Sequence, residues 1–170
     1  MMTSRELLRV RARPGGYISR DEKGEDSLIY TNVVEHVHIE RAATVAACPT
    51  LFQQYINKRC DVRVTIIDQD VHAVQLFPGQ LDPRQQCDIR RQNMDGVDYR
   101  CISLPANVLE QLLELTGSYA LRFAAIDMAV TVDGEWVFFE LNPNGQWAWL
   151  DLAGATRIAD SFVNAFSRGN

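Results

Sequence analysis

Alternation of apolar and polar residues predicts most of the strands in this chain. In residues 61–67 the apolar side chains of Val62, Val64 and Ile66 alternate with polar ones, which is typical of a strand with one buried face. The polar turn at 68–70 leads into a second apolar run, 71–77, so we expect these two segments to form a hairpin. Other strands are predicted at residues 28–31, 50–56, 121–132 and 135–141.

Helical spacing of apolar residues predicts two helices. Pro105, preceded by Ser103, is typical of a first helical turn, and the helix is expected to run to about residue 116, with Gly117 as its C-cap. A second helix is expected over residues 155–167. Residues 33–47 fit either a strand or a helix, and the polar stretches 14–27 and 78–99 are predicted loops. Mixed strands and helices indicate an α+β fold, mainly an antiparallel sheet packed with helices.

The chain is acidic, with 17 basic and 22 acidic residues among 170 and a formal charge of −5. A general nucleic-acid binder would be basic, so we expect no nucleic-acid partner. We also expect no membrane association, because no apolar stretch approaches the roughly 18 residues of a membrane helix and the N-terminus lacks the apolar core of a signal peptide. The four cysteines are widely spaced, which favours free thiols in a cytoplasmic protein over a disulfide framework.

Two carboxylates are predicted to face each other across the last hairpin. Asp133-Gly134 is a strong two-residue turn signal, and the register that it sets places Asp127 opposite Glu140, with Asn142 on the same side as Glu140. Like charges in that position repel, and a divalent cation between them would relieve the repulsion. Carboxylate and amide oxygens suit Mg²⁺. Two alternatives remain open: the carboxylates face solvent, or one of them is protonated.

Several other residues have both a structural and a functional interpretation. Asp61 and Arg63 lie on one strand face, where they form either a surface ion pair or part of a phosphate site. Arg90 in the long predicted loop is either solvated or stabilises phosphoryl charge. Trp147 and Trp149 are core residues or an aromatic wall, and the core interpretation is favoured.

Four segments together resemble the C-terminal half of an ATP-grasp ligase. They are LFQQYI at 51–56, DVRVT at 61–65, AID at 125–127 and FELNPNGQW at 139–147. Taken together, FELNPNGQW, CPTLFQQYI and DVRVT are similar to sequences of the branch that matures ribosomally made peptides, the microviridin-type graspetide ligases. The resemblance covers about residues 28–166. It implies that residues 28–170 form the ATP-grasp C-terminal domain and that 1–27 are a partial lid remnant or a flexible segment, with the lid and the N-terminal domain largely absent.

The resemblance implies a metal centre and two catalytic arginines. Asp127, Glu140 and Asn142 match the Mg²⁺ ligands of the family. Arg63 matches an arginine next to the transferred phosphate. Arg90 lies in Asp-Ile-Arg at 88–90, which resembles the Asp-Trp-Arg motif of this branch.

The resemblance also implies a nucleotide site. Gln54, Tyr55 and Ile56 match the hinge whose backbone holds adenine. Gln54 stands where an acidic residue is common, which hardly affects recognition through the backbone. Asp61 matches a residue near the nucleotide.

The implied activity is ATP- and Mg²⁺-dependent ligation of a carboxylate through an acyl phosphate. The acceptor would be a hydroxyl or an amine, and the product a macrocycle in a ribosomal precursor peptide. A separate N-terminal or lid half, or a homo-oligomer, would be the partner of so short a chain. Two alternatives stay open: a non-catalytic remnant that binds nucleotide or peptide, and a ligase that adds amino acids, like the ribosomal-protein glutamate ligases.

Overall fold

The computed structural model describes residues 8–12, 18–20, 26–28, 30–36, 40, 50–79, 83–94 and 96–168. The described chain divides into two compact units. The first comprises Met1–Ile56 and Gln80–Asp95, and the second comprises Asn57–Gly79 and Gly96–Asn170. The division into residues 1–27 and 28–170 therefore stays a prediction. Among the described residues no helix is long and apolar enough to cross a membrane.

In its described residues, the first unit contains two small antiparallel sheets. Its strands are β1 (Leu8–Ala12), β2 (Ile18–Arg20), β3 (Asp26–Leu28), β4 (Asn32–Val33) and β5 (Thr50–Gln54). One sheet has the order β4-β1-β5, and β2 pairs with β3 in the other. The expectation of a loop throughout 14–27 is wrong, since β2 and part of β3 lie there. The strand expected at 28–31 is replaced by β3 and β4, which lie on either side of it.

Two short 3₁₀ turns in the first unit, Pro83–Gln86 and Arg91–Met94, interrupt the long segment expected to be a loop. Most of residues 33–47, whose secondary structure was left open, lie outside the described residues.

The second unit is a five-stranded antiparallel sheet with three helices. Its strands are β6 (Lys58–Ile67), β7 (Asp70–Phe77), β8 (Asp98–Ile102), β9 (Phe123–Thr131) and β10 (Trp136–Asn142), and its helices are α1 (Ala106–Ser118), α2 (Ala148–Leu152) and α3 (Ile158–Ser167). The strand order is β10-β9-β6-β7-β8. The predicted mainly antiparallel α+β fold and the hairpin of β6 and β7 are confirmed. Strand β8 and helix α2 were not predicted.

One face of this sheet carries the main core. Alternate residues of β6 and β9, together with apolar residues of α1, form a buried cluster: Cys60, Val62, Val64, Ile66, Ala124, Ile126, Met128, Val130, Val108 and Leu112. The predicted alternation in β6 is therefore confirmed. Gly117 is not the C-cap of α1, because the helix continues through Ser118 and is capped at Tyr119.

The second face of the sheet is covered at one end by α3. The ring of Phe162 in α3 lies 5.4 Å from Phe123 and 5.0 Å from Trp147, measured between centroids. His72 Nε2 lies 2.8 Å from the Oγ of Ser161 in the same helix. Trp147 therefore belongs to an aromatic cluster, as the favoured core interpretation predicted. Arg63 and Asp127 lie further along the same face.

Candidate functional site

Arg63, Asp127 and Glu140 form one row across three neighbouring strands. Arg63 of β6 is the register partner of Asp127 of β9, and Asp127 is also the partner of Glu140 of β10. The neighbours of Asp127 in its strand, Ile126 and Met128, belong to the main core. Because side chains alternate along a strand, the row lies on the opposite face. The predicted pairing of Asp127 with Glu140 is confirmed.

The turn and the register that produce this pairing differ from the predicted ones. The turn is not the expected two-residue connection: Thr131 donates its N–H to Glu135 O at 2.9 Å, so three residues lie between them, and Gly134 takes a φ of +90°. That register pairs Phe138 with Met128, and a β-bulge between Phe138 and Glu140 then shifts it by one residue. The bulge brings Glu140 opposite Asp127.

The bulge also decides which side chains of β10 reach the core. Trp136 and Leu141 both pack against the main core, although they are an odd number of residues apart. The expectation that Val137 and Phe139 share the core face with Leu141 is wrong, since neither belongs to that cluster. An uninterrupted strand would have turned Trp136 and Leu141 to opposite faces.

A guanidinium already lies beside the carboxylate pair. Nε of Arg63 is 3.1 Å from Oδ1 of Asp127, and the two side chains are 18 % and 33 % exposed. Two like charges opposite each other on a sheet are unfavourable, and the arginine offsets part of this repulsion. A metal ion is therefore not the only group that can relieve the repulsion, and the three oxygen-bearing side chains keep the chemistry of a cation site.

Asn142 lies at the end of β10, two register pairs along from the row, opposite Ala125. Its Oδ1 accepts a hydrogen bond from the N–H of Asn144 at 2.9 Å, which fixes the side chain in an Asx turn. An amide oxygen has two lone pairs, so one hydrogen bond leaves it able to ligate a cation. In the described part of the chain, no group of three or more His, Cys, Asp or Glu is placed to hold a metal, and a site here would depend on Asn142.

The loop after β10 lies close against the sheet. A methyl group at Gly145 would overlap Cβ of Ala125 and would lie 3.5 Å from Nη1 of Arg63. Only glycine permits this approach, because any Cβ would push the loop away. The loop then leads into α2, whose Trp149 ring has its centroid 5.7 Å from Cζ of Arg63. The favoured core interpretation therefore fails for Trp149, which borders the site.

Asp61 lies two residues before Arg63, so the two share a face, but its carboxylate has a partner. Both of its oxygens accept hydrogen bonds from Nζ of Lys58, at 2.5 and 2.6 Å. The Lys58 side chain is only 3 % exposed. A buried ammonium needs such a counter-charge, so Asp61 has a structural task beside any contact with a ligand. This pair was not predictable from the pattern of the strand, because Lys58 precedes the alternating segment.

The remaining predicted site residues belong to the first unit. Gln54 ends β5 and is exposed, whereas Tyr55 and Ile56 follow it and are half-buried. Arg90 donates from Nε and Nη2 to the two carboxylate oxygens of Asp88 at 2.8 and 2.6 Å. The structure thus brings Asp61, Arg63, Asp127, Glu140 and Asn142 together in one sheet and places Gln54, Tyr55, Ile56 and Arg90 in the other unit.

Asp88 fixes the position of Arg90 and has a strongly perturbed pKa. It is buried and also accepts a hydrogen bond from the Thr31 N–H at 2.8 Å. Burial alone would raise the pKa of Asp88, but the hydrogen bonds and charge of Arg90, with the backbone N–H groups of Thr31 and Arg90, outweigh it and lower the pKa to about 2. The carboxylate is therefore ionised at neutral pH, and Arg90 is held by a charge-assisted pair.

No protein-family model and no curated protein sequence matches the chain. Among solved structures, the RiPP-associated ATP-grasp ligase of Chryseobacterium gregarium, in complex with ADP and a leader and core peptide, is 29 % identical with a TM-score of 0.80, over 91 % of this chain and 46 % of that one. The macrocyclase MdnC of Microcystis aeruginosa, bound with precursor peptide MdnA, is 23 % identical with a TM-score of 0.78. The match covers 96 % of this chain and 47 % of that one.

A third neighbour, the ATP-grasp ligase PsnB complexed with a precursor variant, Mg and ADP, is 20 % identical with a TM-score of 0.66, over 94 % of this chain and 46 % of that one. The chain therefore has the fold of part of an ATP-grasp ligase, as predicted. These three neighbours are ATP-grasp ligases or macrocyclases that were solved with a leader, core or precursor peptide. The chain spans about half the length of these neighbours.

Proposed function

We propose that this chain binds ATP with Mg²⁺ and contributes to the ATP-dependent ligation of a carboxylate on a peptide. The observation that carries the proposal is the row of Arg63, Asp127 and Glu140, with Asn142 beside it, in a chain with the ATP-grasp fold. A guanidinium next to paired carboxylates suits a phosphate and the cation that accompanies it.

Asp127, Glu140 and Asn142 would hold the Mg²⁺. Their donors are carboxylate and amide oxygens, the hard ligands that this ion prefers. They come from the neighbouring strands β9 and β10, where Asn142 lies two residues after Glu140. When bound, the ion would neutralise phosphate charge and polarise the phosphoryl group. The exposed Asn142 and the partly exposed Asp127 leave this side of the row open to a ligand.

Arg63 would stabilise the phosphoryl group during transfer. Its guanidinium is fixed beside Asp127 and is largely withdrawn from water, and electrostatic stabilisation by a preorganised donor is stronger in such an environment. Arg90 of the first unit is a second candidate for this role, although its pair with Asp88 also has a structural function.

The proposed reaction has two steps. A carboxylate oxygen of the substrate attacks the γ-phosphorus of ATP, the bond to the β-phosphate bridging oxygen breaks, and ADP leaves. A hydroxyl or amine then attacks the acyl carbon, loses its proton and displaces inorganic phosphate, which gives an ester or an amide. An acyl phosphate hydrolyses in water, so the site has to exclude solvent during the reaction.

The proposed substrate is a ribosomal precursor peptide, and the proposed product is a macrocycle. Supporting this, the Chryseobacterium ligase was solved with a leader and core peptide, and MdnC with its precursor. Gln54, Tyr55 and Ile56 are proposed to hold adenine through their backbone, and Asp61 to lie near the nucleotide. A separate lid half or a second copy of the chain remains a proposed partner.

Turnover tests this function. The full chain is incubated with ATP and Mg²⁺ and with synthetic peptides rich in Thr, Ser, Asp and Glu, and ADP release is measured together with the peptide mass. The proposal predicts ADP release that depends on the peptide, with the loss of one water from the peptide for each bond formed. Nucleotide binding by calorimetry without any ADP release would favour the non-catalytic alternative, and the absence of nucleotide binding would overturn the proposal.

A further inference from the structure

We propose that Trp149 is a positioning residue that fixes the direction of the Arg63 guanidinium. The guanidinium is enclosed on three sides. Nε lies 3.1 Å from Oδ1 of Asp127, Nη1 lies close to the loop at Gly145, and Cζ lies 5.7 Å from the centroid of the Trp149 ring. The contact with Asp127 involves a single nitrogen of the guanidinium, so it does not by itself fix the rotation of the group.

The ring is itself held in place. The indole N–H of Trp149 donates to the carbonyl of Gln146 at 3.2 Å, and the ring of Tyr99 in β8 lies 6.1 Å away between centroids, tilted by 56°. A tryptophan face attracts a guanidinium more strongly than other aromatic rings do, and the attraction rises when water is excluded. Arg63 is mostly buried, and among the described residues its shielded Nε has no well-aligned acceptor. The ring is therefore a contact that can fix the rotation of the group.

The direction of the guanidinium matters because of the proposed function, on which this inference rests. With Nε turned to Asp127, the opposite edge of the planar group is the one that can donate to a phosphate. A guanidinium released from the ring could rotate towards either carboxylate of the row and present a different edge. Trp149 would then favour binding of the transferred phosphate without contacting it.

The first experiment needs no nucleotide. The exchange of the Arg63 Nε proton with water is followed by NMR in the full chain, with Arg63→Gln used to assign the signal. We expect Trp149→Leu to accelerate this exchange several-fold and Trp149→Phe to remain near wild type. Trp147→Phe is the matched control, because Trp147 packs on Phe162 instead and should leave the exchange unchanged. If Trp149→Leu folds and the Arg63 Nε exchange is unchanged, the inference is wrong. If Trp149→Leu does not fold, the inference is supported when Trp149→Phe changes the exchange no more than Trp147→Phe does and Arg63→Lys moves the indole N–H signal of Trp149. An indole signal that does not move in Arg63→Lys overturns the inference.

The second experiment measures how tightly the full chain binds two nucleotides in the presence of Mg²⁺: ADP and a non-hydrolysable ATP analogue. The quantity compared is the dissociation constant of each nucleotide. We expect Trp149→Leu to weaken the triphosphate analogue about three- to tenfold and ADP far less, and Trp149→Phe to restore most of the loss. In a double variant with Arg63→Gln, the Trp149→Leu substitution should cause no further loss of affinity for the triphosphate analogue. If the two substitutions instead reduce this affinity independently, so that their fold-losses multiply in the double variant, the inference is contradicted. If the wild type binds no nucleotide, the proposed function fails, and the exchange experiment alone decides the role of Trp149.

Discussion

Arg63 and Asp127 are opposite each other on adjacent strands, and Nε of the arginine lies 3.1 Å from Oδ1 of the aspartate. Asp127 is therefore shared: it faces a cation on one side and the carboxylate of Glu140 on the other. The guanidinium offsets part of the repulsion between the two carboxylates, and the carboxylate oxygens are the kind of ligand that Mg²⁺ prefers.

The close approach at Gly145 makes a direct prediction about stability. Gly145→Ala would place a methyl group on Cβ of Ala125, and overpacking of this kind costs about 1–3 kcal/mol. Urea denaturation of the variant should show this loss in the free energy of unfolding.

Two controls separate the clash from a general effect of alanine. The double variant Ala125→Gly with Gly145→Ala removes the overlap and should be no less stable than Ala125→Gly alone. Gly117→Ala lies in a helix with open space around it and should stabilise the protein by about 0.5–1 kcal/mol. A Gly145→Ala variant as stable as the wild type would contradict the predicted approach of the loop.

Acid sensitivity is expected in the first unit because of Asp88. Its pKa is lowered to about 2 from an ordinary 3.8, so the ionised form stabilises the fold by about 2 kcal/mol at neutral pH. A lowered pKa gives stability that is present above pH 4 and lost as the pH falls through the folded value, towards pH 2. Asp88→Asn should therefore be destabilising at pH 7, and its difference from the wild type should shrink between about pH 4 and pH 2 in urea titrations. A difference that does not change with pH would contradict the pair with Arg90.

The start of α3 depends on Asp151. Its carboxylate accepts hydrogen bonds from the hydroxyl of Thr156 and from the N–H groups of Ile158 and Ala159. Burial would raise the pKa of Asp151, but these bonds outweigh it and lower the pKa. Asp151→Ala should lower the free energy of unfolding by about 1–2 kcal/mol, as for a lost helix cap.

The matched control for this cap is Asp160→Ala in the first turn of the same helix. Asp160 is exposed and lies 3.9 Å from Arg157, so its loss should change stability by less than about 0.5 kcal/mol. Because the lowered pKa makes the stabilisation by Asp151 fade as the pH falls, the Asp151→Ala deficit should be smaller in acid than at pH 7. Equal effects of the two substitutions would count against the capping role.

How far the sequence predicts the site is best seen at the last hairpin. The pairing of Asp127 with Glu140 was predicted from a two-residue turn, yet the turn has three residues and a bulge near Phe139 compensates for the difference. A bulge depends on how both faces of a strand pack, here on Trp136 and Leu141 reaching one core, and turn residues carry no information about that.

Contacts between segments distant in sequence were the least predictable. The alternation of β6 predicted its core face, but it did not say which strand lies beside Arg63, because its register partner there, Asp127, is far away in the sequence. The approach of Trp149 to Arg63 follows from that pairing and from the loop at Gly145. Strand β8 was missed because Asp98, Arg100 and the exposed Cys101 give it little apolar pattern.

The most direct test of the account is calorimetry of Mg²⁺ and ADP with the wild type, Asp127→Ala and Glu140→Ala. Each substitution removes a proposed ligand of the ion, so we expect the affinity to fall about tenfold or more in both. Glu135→Ala, which removes an exposed carboxylate from the same hairpin, should bind like the wild type. Wild-type affinity in both Asp127→Ala and Glu140→Ala would contradict the assignment of the metal to this row.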